Sequence, residues 1–156
     1  MYTQPLAYLI TFTCYGTWLH GDERGSVDDK HNKYGTEFLA PDQVLKTVCR
    51  DQMDKSPVFF DPHERDLVEK TIREVCQYRQ WHLQAINVRT NHVHVVVTGN
   101  NDPDKIMSDF KAYATRKLCE SAPDRNHYKI WTEGGSTRYL WDEVSVVAAC
   151  EYVQNQ

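Results

Sequence analysis

His92 and His94 stand two apart in the run Asn91-His92-Val93-His94-Val95-Val96-Val97. In a β-strand successive side chains point to opposite faces, so the two imidazoles share one face. Val93, Val95 and Val97 share the other, where β-branched side chains pack well against a core. Two neutral imidazoles side by side on a rigid strand make half of a divalent-metal site. An arbitrary H-x-H pair is more often solvent-facing, so its meaning depends on a second group elsewhere. The final segment, VSVVAACEYVQNQ, supplies one. Wound as a helix, it collects Val146, Val147, Ala149, Cys150 and Val153 into one apolar stripe. Tyr152 and Gln156 then fall off that stripe, beside each other and one turn apart, with Asn155 turned further from Tyr152. A tyrosine hydroxyl can serve as a nucleophile and a carboxamide oxygen as a metal ligand.

The elements that must position these groups are legible along the chain. Leu6 to Trp18, aromatic and β-branched, reads as a long first strand. From about 19 to 60 the chain carries turn and charge clusters with no sustained period. It reads as a long insertion folding over that strand, with a short helix around Gln43 to Met53. Asp61-Pro62-His63-Glu64 is a helix start, and Leu67, Val68, Ile72, Val75 and Cys76 continue it at helical spacing over 62–79. Trp81 to Arg89 alternates as a second strand, paired in a hairpin with the histidine strand. Asp102-Pro103 repeats the helix start. That helix runs to about Glu120, with Ile106, Phe110, Tyr113 and Ala114 inward and Lys105, Lys111, Arg116 and Lys117 towards water. After a polar loop, Ile130 to Trp141 reads as a fourth strand bent at Gly134-Gly135, and Asp142 caps the last helix. The order β-α-β-β-α-β-α predicts an α+β, ferredoxin-like split βαβ domain over 1–156. Its antiparallel sheet carries helices on one face, and a C-terminal helix bears the tyrosine.

Composition bounds the rest. The chain has 156 residues, 40% of them hydrophobic, enough for one cored domain. No apolar run approaches the roughly 18 residues that span a bilayer. Five widely spaced cysteines without a C-x-x-C pattern point to reduced thiols in a cytoplasm. The net charge of −4 argues against indiscriminate nucleic-acid binding. The acidic excess lies in residues 1–64, six Lys+Arg against ten Asp+Glu, whereas 65–156 carry twelve of each. A local basic surface in the second part is therefore open.

Through Asn91–Val97 and Glu151-Tyr152-Val153-Gln154-Asn155-Gln156, the chain resembles the single-tyrosine HUH transposases, where HUH denotes histidine, hydrophobic residue, histidine. It is most similar to the insertion-sequence transposases and the REP-associated tyrosine transposases. Element order and the spacing from His94 to Tyr152 agree as well; the acidic insertion has no counterpart in the resemblance. The resemblance implies Tyr152 as nucleophile and His92, His94 and Gln156 as ligands of Mg²⁺ or Mn²⁺. It further implies single-stranded or hairpin DNA as substrate, nicked and rejoined through a 5′-phosphotyrosine. A phenol with its ordinary pKa of about 10 is a weak nucleophile at neutral pH, which is why a metal on the phosphate suits this chemistry. Insertion-sequence members are dimers that share active sites, whereas REP-associated members are monomer-like, so a homodimer is one of two assemblies implied. The chain stops at Gln156, in the middle of the expected helix, where relatives continue. A terminal carboxylate there would either replace the amide ligand or loosen the helix end.

Rival chemistries lack residues. A histidine-triad hydrolase needs a third histidine where Val96 stands, and two-histidine phosphoesterases need a second separate motif. Two alternatives stay open. One is a mononuclear metal phosphohydrolase using His92, His94 and another His or Glu. The other is a DNA-hairpin-binding or regulatory protein of the same fold without turnover. Tyr113 is a competing nucleophile but falls in the Ile106-Phe110 stripe and reads as core-edge packing. His20, His31, His63, His82 and His127 have no paired spacing and read as surface residues. Lys105, Lys111, Arg116, Lys117 and Arg138 are candidate DNA contacts, with Tyr139, Trp131 and Trp141 as stacking surfaces for bases.

Overall fold

A computed structural model describes residues 4–17, 57–123 and 129–156. The expected helix at Gln43 to Met53, Trp18, His20, His31 and His127 lie outside those residues.

The strands are β1 (Ala7–Thr13), β2 (His82–Val88), β3 (His92–Thr98) and β4 (Ser136–Leu140). The helices are α1 (Pro62–Arg79), α2 (Pro103–Ser121) and α3 (Glu143–Gln154). All sheet pairings are antiparallel, in the order β2-β3-β1-β4. This is the predicted α+β arrangement, and each helix begins where its cap was expected. The Asp61 carboxylate accepts from the Glu64 N–H at 2.8 Å while the Glu64 carboxylate accepts from the Asp61 N–H, completing a capping box. Asp102 and Asp142 cap α2 and α3 through the N–H groups of Asp104 and Ser145.

The sheet divides its side chains between two cores. Ile10 and Phe12 of β1 and Val93, Val95 and Val97 of β3 bury against Val68, Ile72 and Val75 of α1 and Ile106, Phe110 and Leu118 of α2. On the opposite face Ala7, Leu9, Ala85, Val96 and Leu140 meet Val146, Ala149 and Val153 of α3. Helices α1 and α2 thus share one face, and the tyrosine-bearing helix covers the other.

Four stretches correct or refine the expectation. The first strand ends at Thr13, and Cys14 continues only as a single bridge to Trp131. The expected fourth strand is split: Ile130–Thr132 lie beside residues 13–15, then Gly134 and Gly135 take φ of 78° and 157° before β4 begins. A Cβ on Gly135 would stand 2.6 Å from both Met107 Sδ and the Thr11 carbonyl, so the close approach demands glycine. The end of the insertion is core, since Val58 and Phe60 are buried and their N–H groups bond the carbonyls of Tyr15 and Thr90. Finally, Val147 is not part of the buried stripe of α3; it is 57% exposed.

Candidate active site

The histidines lie on the α3 face, as alternation from the buried valines requires. Across the sheet, Asn87, His94, Thr11 and Ser136 stand in register, one from each strand. They form a polar row beside the apolar row of Ala85, Val96 and Leu9. The His92 and His94 rings are 4.7 Å apart, edge to face. The Tyr152 ring meets His94 edge-on at 5.4 Å, and Tyr152 is 44% exposed. Residues 58 positions apart in the chain are thereby brought into one site.

Each imidazole is oriented through Nδ1. The buried Asn91 places its Oδ1 2.7 Å from His92 Nδ1, and Thr11 Oγ1 lies 2.8 Å from His94 Nδ1. A carboxamide oxygen only accepts, so His92 Nδ1 is the donor of this bond. Thr11 can accept from His94 in the same sense. Such partners fix tautomer and ring orientation at metal-ligating histidines. Burial holds the His94 pKa down to about 3, with the neighbouring charges of His92 and Arg89 adding to the effect. The ring is only 4% exposed, and it is neutral throughout the physiological range. A neutral His94 imidazole beside the His92 ring is a nitrogen donor set of the kind that suits a divalent metal.

Gln156 departs from its expected place. The helix ends at Gln154 with Asn155 as its cap, so Gln156 lies beyond the last turn. Its carboxamide nitrogen nevertheless returns to the Tyr152 carbonyl at 3.2 Å, leaving the amide oxygen as the donor atom suited to a metal. Among the described residues no cluster of three or more His, Cys, Asp and Glu could hold a metal ion. The arrangement of His92, His94 and a further His or Glu is therefore not assembled among them.

The candidate DNA contacts separate. Arg138 pairs in register with Leu9 and shares the histidine face. Lys105, Lys111, Arg116 and Lys117 ride on α2, which packs on the other face, and each has an intramolecular partner. Lys105 bonds Asp109 at 2.7 Å, Lys117 pairs with Glu120 at 3.6 Å, and Arg116 lies over the Tyr113 ring. Lys111 donates to the Thr132 and Gly134 carbonyls and ties down the approach to β4. Trp131 is core: it is buried edge-on against Phe12 and Phe60, with its N–H directed at Thr115 and the Lys111 carbonyl. Tyr139 and Trp141 are exposed. Tyr113 packs against the helix-side core as expected.

Four residues that sequence reasoning did not assign enter the site: Thr11, Asn87, Arg89 and Asn91. Asn91 had a signal in its position directly before His92. Thr11 and Asn87 reach the site only through strand register, and Arg89 through the turn that follows β2.

Fold and site define an α+β protein that sets a helix-borne tyrosine beside a strand-borne histidine pair. The chain belongs to the family of IS200-like transposases, whose sequence pattern matches residues 47–156, and DNA transposition is its functional class. The matched span includes every element except β1. No curated protein matches the chain. A candidate transposase of Deinococcus radiodurans R1 shares the fold with 14% identity and a TM-score of 0.54, over 99% of this chain and 93% of its own. A REP-associated tyrosine transposase bound to a REP hairpin does so with 13% identity and a TM-score of 0.52, over 98% of this chain and 67% of its own. No helix among the described residues is long and apolar enough to cross a membrane.

Proposed function

We propose that this chain nicks and rejoins single-stranded DNA beside hairpins, through a covalent bond to Tyr152 and with the help of Mg²⁺ or Mn²⁺. The observation that carries the reading is the packing of the Tyr152 ring against His94 within one chain. His92, His94 and the Gln156 amide oxygen would hold the metal, a mixed nitrogen and oxygen set that those ions accept. Once bound, the ion supplies Lewis-acid stabilisation of charge on the scissile phosphate and the leaving oxygen. Tyr152 Oη attacks phosphorus as its proton passes to solvent, the bond from phosphorus to the 3′-oxygen breaks, and that oxygen takes up a proton from solvent and leaves as a 3′-hydroxyl. The DNA remains on the protein as a 5′-phosphotyrosine. Attack by a 3′-hydroxyl on the same phosphorus reverses the step and releases the tyrosine, so no external energy source enters. Hairpin DNA as substrate is supported by the structural neighbour that is bound to one. Arg138, which shares the histidine face, would meet the DNA backbone.

The test is incubation with labelled hairpin oligonucleotides and Mn²⁺, followed by denaturing electrophoresis. The expected product is an SDS-resistant adduct that needs the metal and disappears in Tyr152→Phe and in the His92→Ala/His94→Ala double variant. An adduct that survives Tyr152→Phe moves the nucleophile elsewhere. Tight, metal-independent hairpin binding with no adduct would instead favour a regulatory protein of the same fold.

A further inference from the structure

The end of the tyrosine helix is held by two side chains, one on the strand next to the histidines (Asn87 of β2) and one just past its end (Arg89). A helix leaves its last carbonyls without intrahelical partners. In α3 the Asn87 carboxamide donates to the Val153 carbonyl at 3.0 Å and to the Gln156 main-chain oxygen at 3.2 Å. Arg89 Nη1 donates to the same Gln156 oxygen at 2.8 Å, placing a cation where the helix dipole is negative. All three bonds land within four residues of Tyr152.

Asn87 reaches that position because β2 is irregular. Leu83 pairs with Val97 and faces the helix-pair core, whereas Ala85 pairs with Val96 and faces α3. The bulge between them reverses the alternation, so that Asn87 comes to stand opposite His94 on the site face. A regular strand would aim Asn87 into the opposite core. The rest of the attachment of α3 is thin. Its buried residues are Val146, Ala149 and Val153, and Val144 and Val147 face outward. A 12-residue helix is marginal by itself in water, so docking must maintain it.

We infer that Asn87 and Arg89 are positioning residues: they clamp the C-terminal turn of α3 and so hold Tyr152 against His94. The inference deepens the proposed function and rests on Tyr152 as the nucleophile. It assigns the rate of covalent attack to a contact made by neither the tyrosine nor the histidines.

The test uses two readouts on the full chain carrying Asn87→Ala, Arg89→Ala, both together, or Arg89→Lys. The first is the nuclear Overhauser contact between the Tyr152 and His94 rings in the DNA-free protein, which does not depend on turnover. The second is the single-turnover rate of adduct formation on a saturating hairpin oligonucleotide, with hairpin affinity measured alongside. The expected result is loss of the ring contact in the double variant and a roughly tenfold slower adduct at saturating hairpin. Arg89→Lys should recover most of both, because an ammonium can still donate to the helix end, whereas general destabilisation would not be rescued in this way. Asn87→Ser serves as the milder variant if Asn87→Ala does not fold. A ring contact that persists in the double variant overturns the inference. So does a contact that is lost with no change in rate. An adduct surviving Tyr152→Phe would sink the proposed nucleophile instead, and the ring-contact measurement would still report whether the clamp docks the helix.

Discussion

The two faces of the sheet are built to different ends. One is apolar from strand to helix: two helices of 18 and 19 residues close over Ile10, Phe12, Val93, Val95 and Val97. The other carries a polar row of Asn87, His94, Thr11 and Ser136 under a single 12-residue helix with three buried residues. Burying apolar area stabilises; burying imidazole and hydroxyl groups costs unless each finds a partner. The helix-pair face therefore carries the stability that lets the site face hold a neutral, buried His94. Strand β3 joins the two, with valines on one side and histidines on the other, so the site inherits the rigidity of the core.

The sharpest way to break this comparison is to truncate one side chain on each face. Phe110→Ala, which removes a fully buried ring packed edge-on against Trp81, should cost about 3–5 kcal/mol in urea denaturation. Val153→Ala should cost only about 2 kcal/mol and yet slow adduct formation more, because it loosens the helix that carries Tyr152. Equal losses of stability, or a greater loss of rate in Phe110→Ala once both are folded, would erase the division.

Thr11→Val tests whether the polar row serves chemistry. It is nearly isosteric but removes the partner of His94 Nδ1, and should lower Mn²⁺ affinity or adduct rate about tenfold, with Thr11→Ser restoring both. An unchanged titration with Mn²⁺ would show that the ring is fixed by packing alone.

Acid should act through the site face. His94 stays neutral in the folded protein down to about 3, whereas an unfolded imidazole titrates near 6.5. Between those values the unfolded chain binds the additional proton. The stability is therefore fully present above pH 6.5 and lost as pH falls towards 3, at ~1.4 kcal/mol per pH unit from this one group. Denaturation at pH 7, 5 and 4 should show that slope in the wild type and a shallower one in His94→Gln.

The smallest effects should separate the cations. Arg138→Ala should weaken hairpin binding and reduce its salt dependence by about one counterion. Lys117→Ala, on the far face and paired with Glu120, should leave binding unchanged and stability within about 0.5 kcal/mol. A larger loss from Lys117→Ala would place DNA on the helix-pair face.

The sequence by itself determined the parts whose signals are short-range. Asp61, Asp102 and Asp142 cap their helices with their own next turn, and the alternation around His92 and His94 decides which side chains share a face. The nucleophile and ligand candidates were likewise legible, because Tyr152 and the histidine pair sit in compact motifs. Only the tertiary structure decided what depends on register. Thr11 meets His94 because β1 pairs with β3 at one offset and no other. Asn87 reaches α3 because a bulge in β2 reverses the strand's alternation, and Val147 is exposed because α3 lies on the sheet along a narrower strip than its sequence would allow. Asn87 and Arg89 meet the Gln156 main-chain oxygen only through the way β2 and α3 pack together. Caps and periodicity act over a single turn or pleat, whereas register is settled by packing residues distant in the chain, and no local pattern encodes that choice.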